Sequence, residues 1–200
     1  MKTMAKNSST KDVLLDKAQQ LMLGKGFSGT SVEEICKAAK VTKGSFFHYF
    51  DSKDELAQVL IERFCIESQK KHGDFMGKNP DPLKRVYAYL DSFIRFSKDP
   101  EMAKGCLLGA FAQELSDSSP KMRAACCCGF ENWAKSFAKV LMEAKKFHSP
   151  KKAVDPKSLA EHLIAVLEGS LILAKSQGNA SQVEKNITHY KKYLQALFEA

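Results

Sequence analysis

The stretch that decides the fold runs from residue 31 to residue 50 and reads SVEEICKAAKVTKGSFFHYF. Ser31 is a residue type that caps helices, and Glu34 three positions later completes a capping box, so a helix is expected to begin after Ser31. Thr42 is a second N-cap candidate, which places the start of another short helix at Lys43. The interval between the two helices has the length of the turn in a helix-turn-helix, and the stretch therefore predicts that motif.

The second of these helices carries the side chains that would read DNA, because the second helix of the motif enters the major groove. It opens with Lys43, Gly44 and Ser45 and continues into the aromatic run from Phe46 to Phe50. Four aromatic side chains and a histidine on so short a helix cannot all face one core, so some are expected at the surface. The alternative is a small helical bundle with a basic helix and no role in DNA binding.

A longer run, from Gly26 to Leu56, resembles the DNA-binding domain of TetR-type transcriptional regulators. The matching positions are Gly26-Phe27, Thr30, Ile35, Ala39, Val41, Lys43-Gly44-Ser45, Tyr49-Phe50, Ser52-Lys53 and Leu56. The resemblance implies an N-terminal three-helix DNA-binding domain in residues 1–53 and a helical regulatory and dimerisation domain in residues 54–200. It also implies a homodimeric repressor that binds palindromic operator DNA and is released by a small-molecule effector or by cysteine modification.

The resemblance assigns DNA contacts residue by residue. Lys43, Ser45 and His48 are expected at base edges or in the groove. The other residues assigned to the DNA-binding surface, mainly as phosphate contacts, are Thr30, Ser31, Thr42, Gly44, Phe47, Tyr49 and Lys53. The chain also departs from the family pattern at two of its positions. Phe47 stands where a tyrosine often contacts phosphate, and Lys40 stands where glycine is frequent, so a strained turn or a shifted helix end is expected at Lys40.

Composition agrees with an all-α protein that has a polyanionic partner. The chain has 200 residues, of which 44% are hydrophobic and 27% are charged, and its net charge is +8. Half of that excess lies in residues 1–50, which favours DNA contact there. Helical periodicity recurs along the chain, and no apolar run approaches the roughly 18 residues that a membrane helix needs. The start of the chain lacks the apolar stretch of a signal peptide, so the expected compartment is the cytoplasm.

Catalysis, a cofactor and a metal site are not expected. The five histidines are scattered along the chain, and no nucleophile–base constellation or phosphate-binding loop is present. The six cysteines lack CxxC spacing, and in the cytoplasm they are expected to be reduced thiols. The run from Cys126 to Cys128 has no assigned role, although successive helix positions point about 100° apart, so at least one of its thiols is expected to be exposed.

An effector pocket is the hypothesis for a group of side chains from the middle helices. They are Phe93, Phe96, Cys106, Phe111, Trp133 and Phe137. Pockets between the helices of a bundle are common, and a ligand there would move the helix that follows Lys53 and so change the separation of two recognition helices. Aromatic residues at helical spacing also form ordinary cores. The alternative is therefore a DNA-binding protein with a filled core and no effector.

A further resemblance concerns Cys106. The segments GCLLGAFAQELSDSSPKMR, residues 105–123, and GSLILAKS, residues 169–176, resemble a TetR subgroup that includes sensors of reactive electrophiles and oxidants. This resemblance implies that Cys106 is the sensing thiol and that Lys175 is its partner, a cation that would lower the thiol pKa. The alternative is an inert, buried Cys106 and a surface Lys175.

Overall fold

The structure is a computed structural model that describes residues 9–98 and 105–198. Within these ranges the chain forms α-helices and no strand, which confirms the all-α fold class. The helices are α1 (Thr10–Lys25), α2 (Val32–Ala39), α3 (Lys43–Tyr49), α4 (Lys53–Met76), α5 (Pro82–Ser97), α6 (Leu107–Leu115), α7 (Pro120–His148), α8 (Pro156–Gln177) and α9 (Ser181–Phe198). None of the helices in these ranges is long and apolar enough to cross a membrane.

The helix-turn-helix begins and ends where its capping residues predict. The Ser31 hydroxyl accepts the backbone N–H of Glu34, and the Glu34 carboxylate accepts the N–H of Ser31 in return, so the predicted capping box is confirmed. The Thr42 hydroxyl accepts the N–H of Ser45 and caps α3, which starts at Lys43. Each cap satisfies a backbone donor that would otherwise lack a partner at the helix start.

Lys40 ends α2 in the left-handed backbone conformation, with φ 57° and ψ 42°. Its N–H lies against the carbonyls of Cys36 and Lys37, and this contact closes the last turn of α2. A side chain in this conformation costs roughly 1–2 kcal/mol, because Cβ approaches the following carbonyl oxygen. The strained turn expected at Lys40 is therefore confirmed.

The buried side chains form two hydrophobic cores. The first joins α1–α3, the first turns of α4, α6 and the start of α7. The second joins α5, the rest of α7, α8 and α9. We call α1–α3 with residues 53–61 of α4 the head and the remaining helices the body. Helix α4 begins at Lys53, where the domain boundary was predicted, and its residues Leu56, Ala57, Leu60 and Ile61 belong to the head's core.

Helix α6 docks the head onto the body at the turn between α1 and α2. The Glu114 carboxylate accepts the backbone N–H groups of Phe27 and Ser28, each at 2.7 Å. The Phe27 ring meets the Phe111 ring edge-on, with their centroids 6.1 Å apart. Burial raises the pKa of the Glu114 carboxyl, but the two N–H groups outweigh it, and the pKa lies below its ordinary value. The carboxylate therefore stays charged at neutral pH.

Helix α7 lies close to both α4 and α6 at Gly129. A Cβ atom at Gly129 would be 2.8 Å from a methyl carbon of Leu108 and 3.0 Å from Sγ of Cys65. Real Cβ contacts are longer than this, so a larger residue there would force the side chains of Leu108 and Cys65 to shift. Gly129 lies on α7 between Cys126 of the first core and Ala134 of the second.

We expect Gly129→Ala to lower the free energy of unfolding, because the added methyl group overpacks the contact with Leu108 and Cys65, at a cost of roughly 1–3 kcal/mol. The matched control is Gly73→Ala on the exposed surface of α4, where no atom lies within 4 Å of the new Cβ. That change should stabilise the helix by about 0.5–1 kcal/mol. Urea unfolding of both variants at one protein concentration measures the difference, and equal effects would contradict the close packing at Gly129.

We expect Glu114→Gln to lower the free energy of unfolding at pH 7 by about 1 kcal/mol, because an amide replaces a charged acceptor of two N–H groups at a partly exposed site. The Glu114 pKa is depressed in the folded state, so its contribution is present above the unfolded-state pKa and is lost as pH falls through the folded pKa. The difference between wild type and variant should therefore shrink in acid. Asp117→Asn, which removes a nearby surface charge, is the control.

Candidate nucleic-acid interface and regulatory cavity

The outer surface of α3 presents most of the side chains expected to contact DNA. Thr42, Lys43, Gly44, Phe47 and His48 are exposed, and the Phe47 side chain is 54% exposed. Between them lie Ser45 and Tyr49, which are half-buried. The expectation that the aromatic run divides between core and surface is confirmed, because Phe46 and Phe50 are buried in the head's core.

Polar contacts hold the first turn of α3 in place. The hydroxyl oxygens of Thr42 and Ser45 lie 3.1 Å apart and hydrogen-bond to each other. The Lys43 ammonium forms an ion pair with Glu33 of α2, and this hydrogen bond is the main cause of the lowered pKa of Glu33. Both partners are well exposed, so solvent screens the ion pair and an acceptor group on DNA can displace Glu33 at little cost.

Three of the assigned residues lie at the edge of this surface, and two of them face inward. Ser31 is exposed at the start of α2. Thr30 is fully buried, and its hydroxyl donates to the carbonyl of Gly26 at 2.7 Å. The Lys53 ammonium donates to the carbonyls of Phe27 and Thr30, each at 2.9 Å, and lies 4.1 Å from the centre of the Phe27 ring. In this conformation Thr30 and Lys53 hold the turn between α1 and α2 and do not present their polar atoms to a phosphate.

A cavity of about 330 Å³ lies between the two hydrophobic cores. On the side of the first core, the cavity wall includes Phe64, Cys65, Cys106 and Leu108. On the side of the second core, it includes Phe93, Phe96, Trp133, Leu167 and Leu171. Hydroxyl and amide groups of Ser92, Ser136 and Asn132 interrupt this apolar lining. The cavity has the size and the mixed lining of sites that bind small organic molecules.

The structure brings four of the six expected pocket residues to the wall of this cavity: Phe93, Phe96, Cys106 and Trp133. It places the other two, Phe111 and Phe137, away from the wall. Phe111 is 1% exposed and packs on Phe27 in the first core. Phe137 is also 1% exposed and packs on Tyr89 in the second core, with ring centroids 5.3 Å apart. Both are core residues, because each helix turns that position toward its neighbouring helices.

Sequence reasoning missed the contribution of α4 to the cavity. Phe64 and Cys65 of α4 both lie in the cavity wall, although neither was among the expected pocket residues. Asn132 of α7 and Leu167 of α8 were missed as well. The available signal was Gly129, a glycine in the middle of a long helix, which indicates close approach of another element.

Cys106 lies at the start of α6, and its thiol hydrogen-bonds the carboxyl group of Glu168 on α8. That carboxyl group rests on Gly109, where a Cβ atom would be 2.0 Å from Oε2. Burial, and then the Glu168 charge, raises the pKa of the Cys106 thiol well above its ordinary value. Burial also raises the pKa of Glu168, and the hydrogen bond from the thiol offsets part of that rise.

The expected pairing of Cys106 with Lys175 is not present in this conformation. The Lys175 ammonium instead donates to the carbonyl of Leu23, near the end of α1, at 3.3 Å. Burial, and then the neighbouring carboxyl group of Glu168, raises the pKa of the thiol, where a lysine would have lowered it. Lys175 is a further contact between the body and the head.

The other cysteines are free thiols in this structure. Cys36 and Cys126 are buried, Cys65 is half-buried, and Cys127 and Cys128 are exposed, which confirms the expectation of an exposed thiol in the cysteine run. Among residues 9–98 and 105–198, no three metal-ligating side chains lie close enough together to hold a metal ion.

Comparison with known proteins finds one family over both parts of the molecule. The family profile described as "Bacterial regulatory proteins, tetR family" matches residues 14–60, which include α2, α3 and the first turns of α4. The profile described as "Tetracyclin repressor-like, C-terminal domain" matches residues 82–190, which include α5 to α8.

Individual relatives extend the similarity over most of the chain. The HTH-type transcriptional repressor DhaR of Mycobacterium sp. (strain GP1) is 30% identical over 188 residues, which are 94% of this chain and 89% of DhaR. The HTH-type transcriptional repressor NemR of Escherichia coli (strain K12) is 26% identical over 186 residues, which are 92% of this chain and 94% of NemR. The crystal structure of the reduced form of E. coli NemR matches with a TM-score of 0.81 at 28% identity, covering 92% of this chain and 95% of that one.

The similarity thus covers the head, with its exposed recognition helix, and the body, with its cavity, in one continuous chain. The relatives are regulators of transcription and not enzymes. The chain therefore belongs to the TetR family and is a transcriptional repressor of that type.

Proposed function

We propose that this repressor binds a palindromic operator as a homodimer and is released when a small molecule occupies the cavity or modifies Cys106. The observation that carries the proposal is the position of α6. Its N-cap residue Cys106 and its second residue Leu108 form part of the cavity wall, and its later residues Phe111 and Glu114 contact the head. One short helix therefore touches both the effector site and the DNA-binding unit.

The coupling follows from the stiffness of that helix. Helix α6 has nine residues, so it moves as one unit over a length of about 14 Å. An occupant that displaces Cys106 or Leu108 displaces Glu114 and the turn between α1 and α2 with them. Helix α4 gives a second connection, since Phe64 and Cys65 line the cavity and Lys53 follows the recognition helix directly. Both routes change the placement of α3.

The DNA contacts are assigned to the exposed residues of α3 and its cap. Lys43, Ser45 and His48 are proposed for the groove, and Thr42 and Tyr49 for phosphates. Ser31 is exposed at the start of α2, where the helix N-terminus favours an anion. Thr30 and Lys53 act indirectly, because their hydrogen bonds hold the turn between α1 and α2. Gly44 and Phe47 complete the surface.

A homodimer through α8 and α9 is the proposed assembly. Ile172 and Leu173 on α8 and Tyr193 on α9 are large apolar side chains that are each nearly half exposed in the single chain. A seven-residue recognition helix reads few base pairs, and a two-fold dimer doubles the site and fixes the half-site spacing. A change in the angle between the heads would then mismatch that spacing and release the operator.

Thiol modification at Cys106 is the proposed covalent route. The raised pKa keeps the thiol protonated at neutral pH, so reagents in bulk solvent react with it slowly. An unsaturated carbonyl compound bound in the cavity reacts faster, because the cavity holds its carbon–carbon double bond beside the Cys106 sulfur. The thiol proton passes to the Glu168 carboxylate, sulfur bonds to the β-carbon, and the electrons of the carbon–carbon double bond move to the α-carbon, which then takes a proton. The solved structure of the relative NemR is described as its reduced form, which supports a role for redox state in this proposal.

An effector-independent repressor with a filled core is the alternative function. The cavity of about 330 Å³ counts against it, because protein interiors are close-packed and a volume of this size lowers stability unless it serves a ligand.

We expect Gly44→Ala to weaken operator binding by about tenfold or more, the range of one lost groove or backbone contact, without unfolding the head. In the free protein the new Cβ would meet only the Thr42 hydroxyl, at an ordinary 3.7 Å, so the loss would come from the DNA side. Gly24→Ala on α1, where no atom lies within 4 Å, is the control. Fluorescence anisotropy with DNA from upstream of the repressor's own gene measures both, and unchanged affinity in the first variant would remove Gly44 from the interface.

We expect Cys106→Ser to abolish the loss of operator binding that N-ethylmaleimide causes in the wild type. Serine keeps the shape of the side chain but lacks the nucleophilic sulfur. A gel-shift titration at fixed salt, with and without the reagent, measures the response.

Cys127→Ser is the matched control for this experiment, because Cys127 is exposed on α7 with its thiol directed to Glu131. It should respond as the wild type does. Release of the Cys106→Ser variant by the reagent would show that another thiol carries the response.

A further inference from the structure

A second group of thiols lies where α4 crosses α7, apart from Cys106. Cys65 projects from α4 and forms part of the cavity wall. The run of Cys126, Cys127 and Cys128 lies on the facing helix, one to three residues before Gly129. The covalent route proposed at Cys106 uses none of these four thiols.

The contact at Gly129 brings the sulfur of Cys65 against the backbone of α7. A Cβ atom at Gly129 would be 3.0 Å from Sγ of Cys65. Because Gly129 is a glycine, no side chain separates that sulfur from the backbone of α7. Cys65 of α4 therefore lies against Gly129, the residue that follows Cys128 on α7.

The three thiols of the run have different surroundings. Cys128 is exposed, and its sulfur accepts a hydrogen bond at 3.4 Å from Asn132, which lines the cavity together with Cys65. Cys127 is directed to Glu131, with its sulfur 3.5 Å from a carboxylate oxygen. Cys126 is 2% exposed and is packed in the first core. Cys128 is thus the accessible thiol of the run whose hydrogen-bond partner shares the cavity wall with Cys65.

The electrostatics of the thiols agree with this placement. Burial raises the pKa of Cys65, and the charge of Cys128 raises it further. Burial, followed by the charge of Cys65, raises the pKa of Cys126 to about 11. Cys65 therefore lies within electrostatic reach of both neighbours, of which the exposed Cys128 meets an oxidant first.

We propose that Cys65 and Cys128 form a peroxide-sensitive dithiol that closes into a disulfide between α4 and α7. The Cys128 thiolate attacks a peroxide oxygen, the O–O bond breaks, and the departing hydroxide takes up a proton. Cys65 then loses its proton to water, and its sulfur attacks the sulfenic sulfur of Cys128. The S–S bond forms and the S–O bond breaks with release of a second water. Two thiols are oxidised and one peroxide is reduced.

The crossing at a glycine suits such a bond, because a disulfide requires Cα atoms only about 4.4–6.8 Å apart. The bond would fasten α4, the helix that follows the recognition helix, to α7 at the junction of the two cores. Its formation is independent of DNA binding, so it can be tested separately from the proposed release of the operator.

The experiment treats the full-length Cys106→Ser protein with a small molar excess of hydrogen peroxide, so that the cavity thiol of α6 cannot contribute. We expect intact mass to fall by two hydrogen atoms, two free thiols to disappear, and dithiothreitol to restore both. Tryptic digestion without reductant should yield the peptides 64–70 and 124–135 joined by a disulfide.

Matched variants in the same background identify the partner. Cys128→Ser and Cys65→Ser should each abolish the linked peptides, and Cys127→Ser, which replaces the other exposed thiol, should retain them. Circular dichroism checks that each variant is folded, and Cys127 and Cys128 are both surface positions. Linked peptides that persist in Cys128→Ser, a disulfide between two chains on a non-reducing gel, or no disulfide in the folded background protein would each overturn the proposal.

Discussion

The placement of the DNA-binding head depends on a carboxylate that completes the hydrogen bonds of a turn. Phe27 and Ser28 follow α1, and their N–H groups have no helix partner of their own, so Glu114 of α6 accepts both. From the opposite side, the Lys53 ammonium binds the carbonyls of the same turn. Side chains of α6 and α4 thus satisfy the donors and the acceptors of this turn, and we call the turn with these contacts the junction. It is the contact through which α6 holds the head.

The division of the buried side chains into two hydrophobic cores bears on how an effector could act on this junction. A single continuous core would resist displacement of α6, because close-packed interiors transmit strain without yielding. Here a cavity lies between the cores, and α7 contributes residues to both of them. In the release proposed above, the head, α6 and the start of α7 shift against the rest of the body. The thiols of α4 and α7 also lie in this region, so the reactive side chains of the chain are close to the boundary between the two cores.

Local features of the structure could be predicted from sequence, and contacts between distant segments could not. The caps at Ser31 and Thr42 and the strained turn at Lys40 are determined by neighbours within four residues, and each was predicted. Phe111 and Phe137 were expected in the pocket because helical spacing shows that a residue is apolar but not which neighbouring helix it meets. Lys175 was expected beside Cys106 through resemblance alone. Its contact with Leu23 spans about three quarters of the chain, and no local pattern records such a pairing.

The ion pair between Lys43 and Glu33 has a consequence for the ionic atmosphere around the operator. A lysine that approaches a phosphate normally displaces a condensed cation from the DNA, and the entropy of that cation drives binding and makes it sensitive to salt. Lys43 already carries a neighbouring anion. When Lys43 enters the operator groove as proposed, Glu33 would be left beside the DNA with an uncompensated charge that attracts a cation back to the surface. In the proposed complex the net number of ions released at this position would be smaller than for a free lysine, and operator binding would depend less on salt.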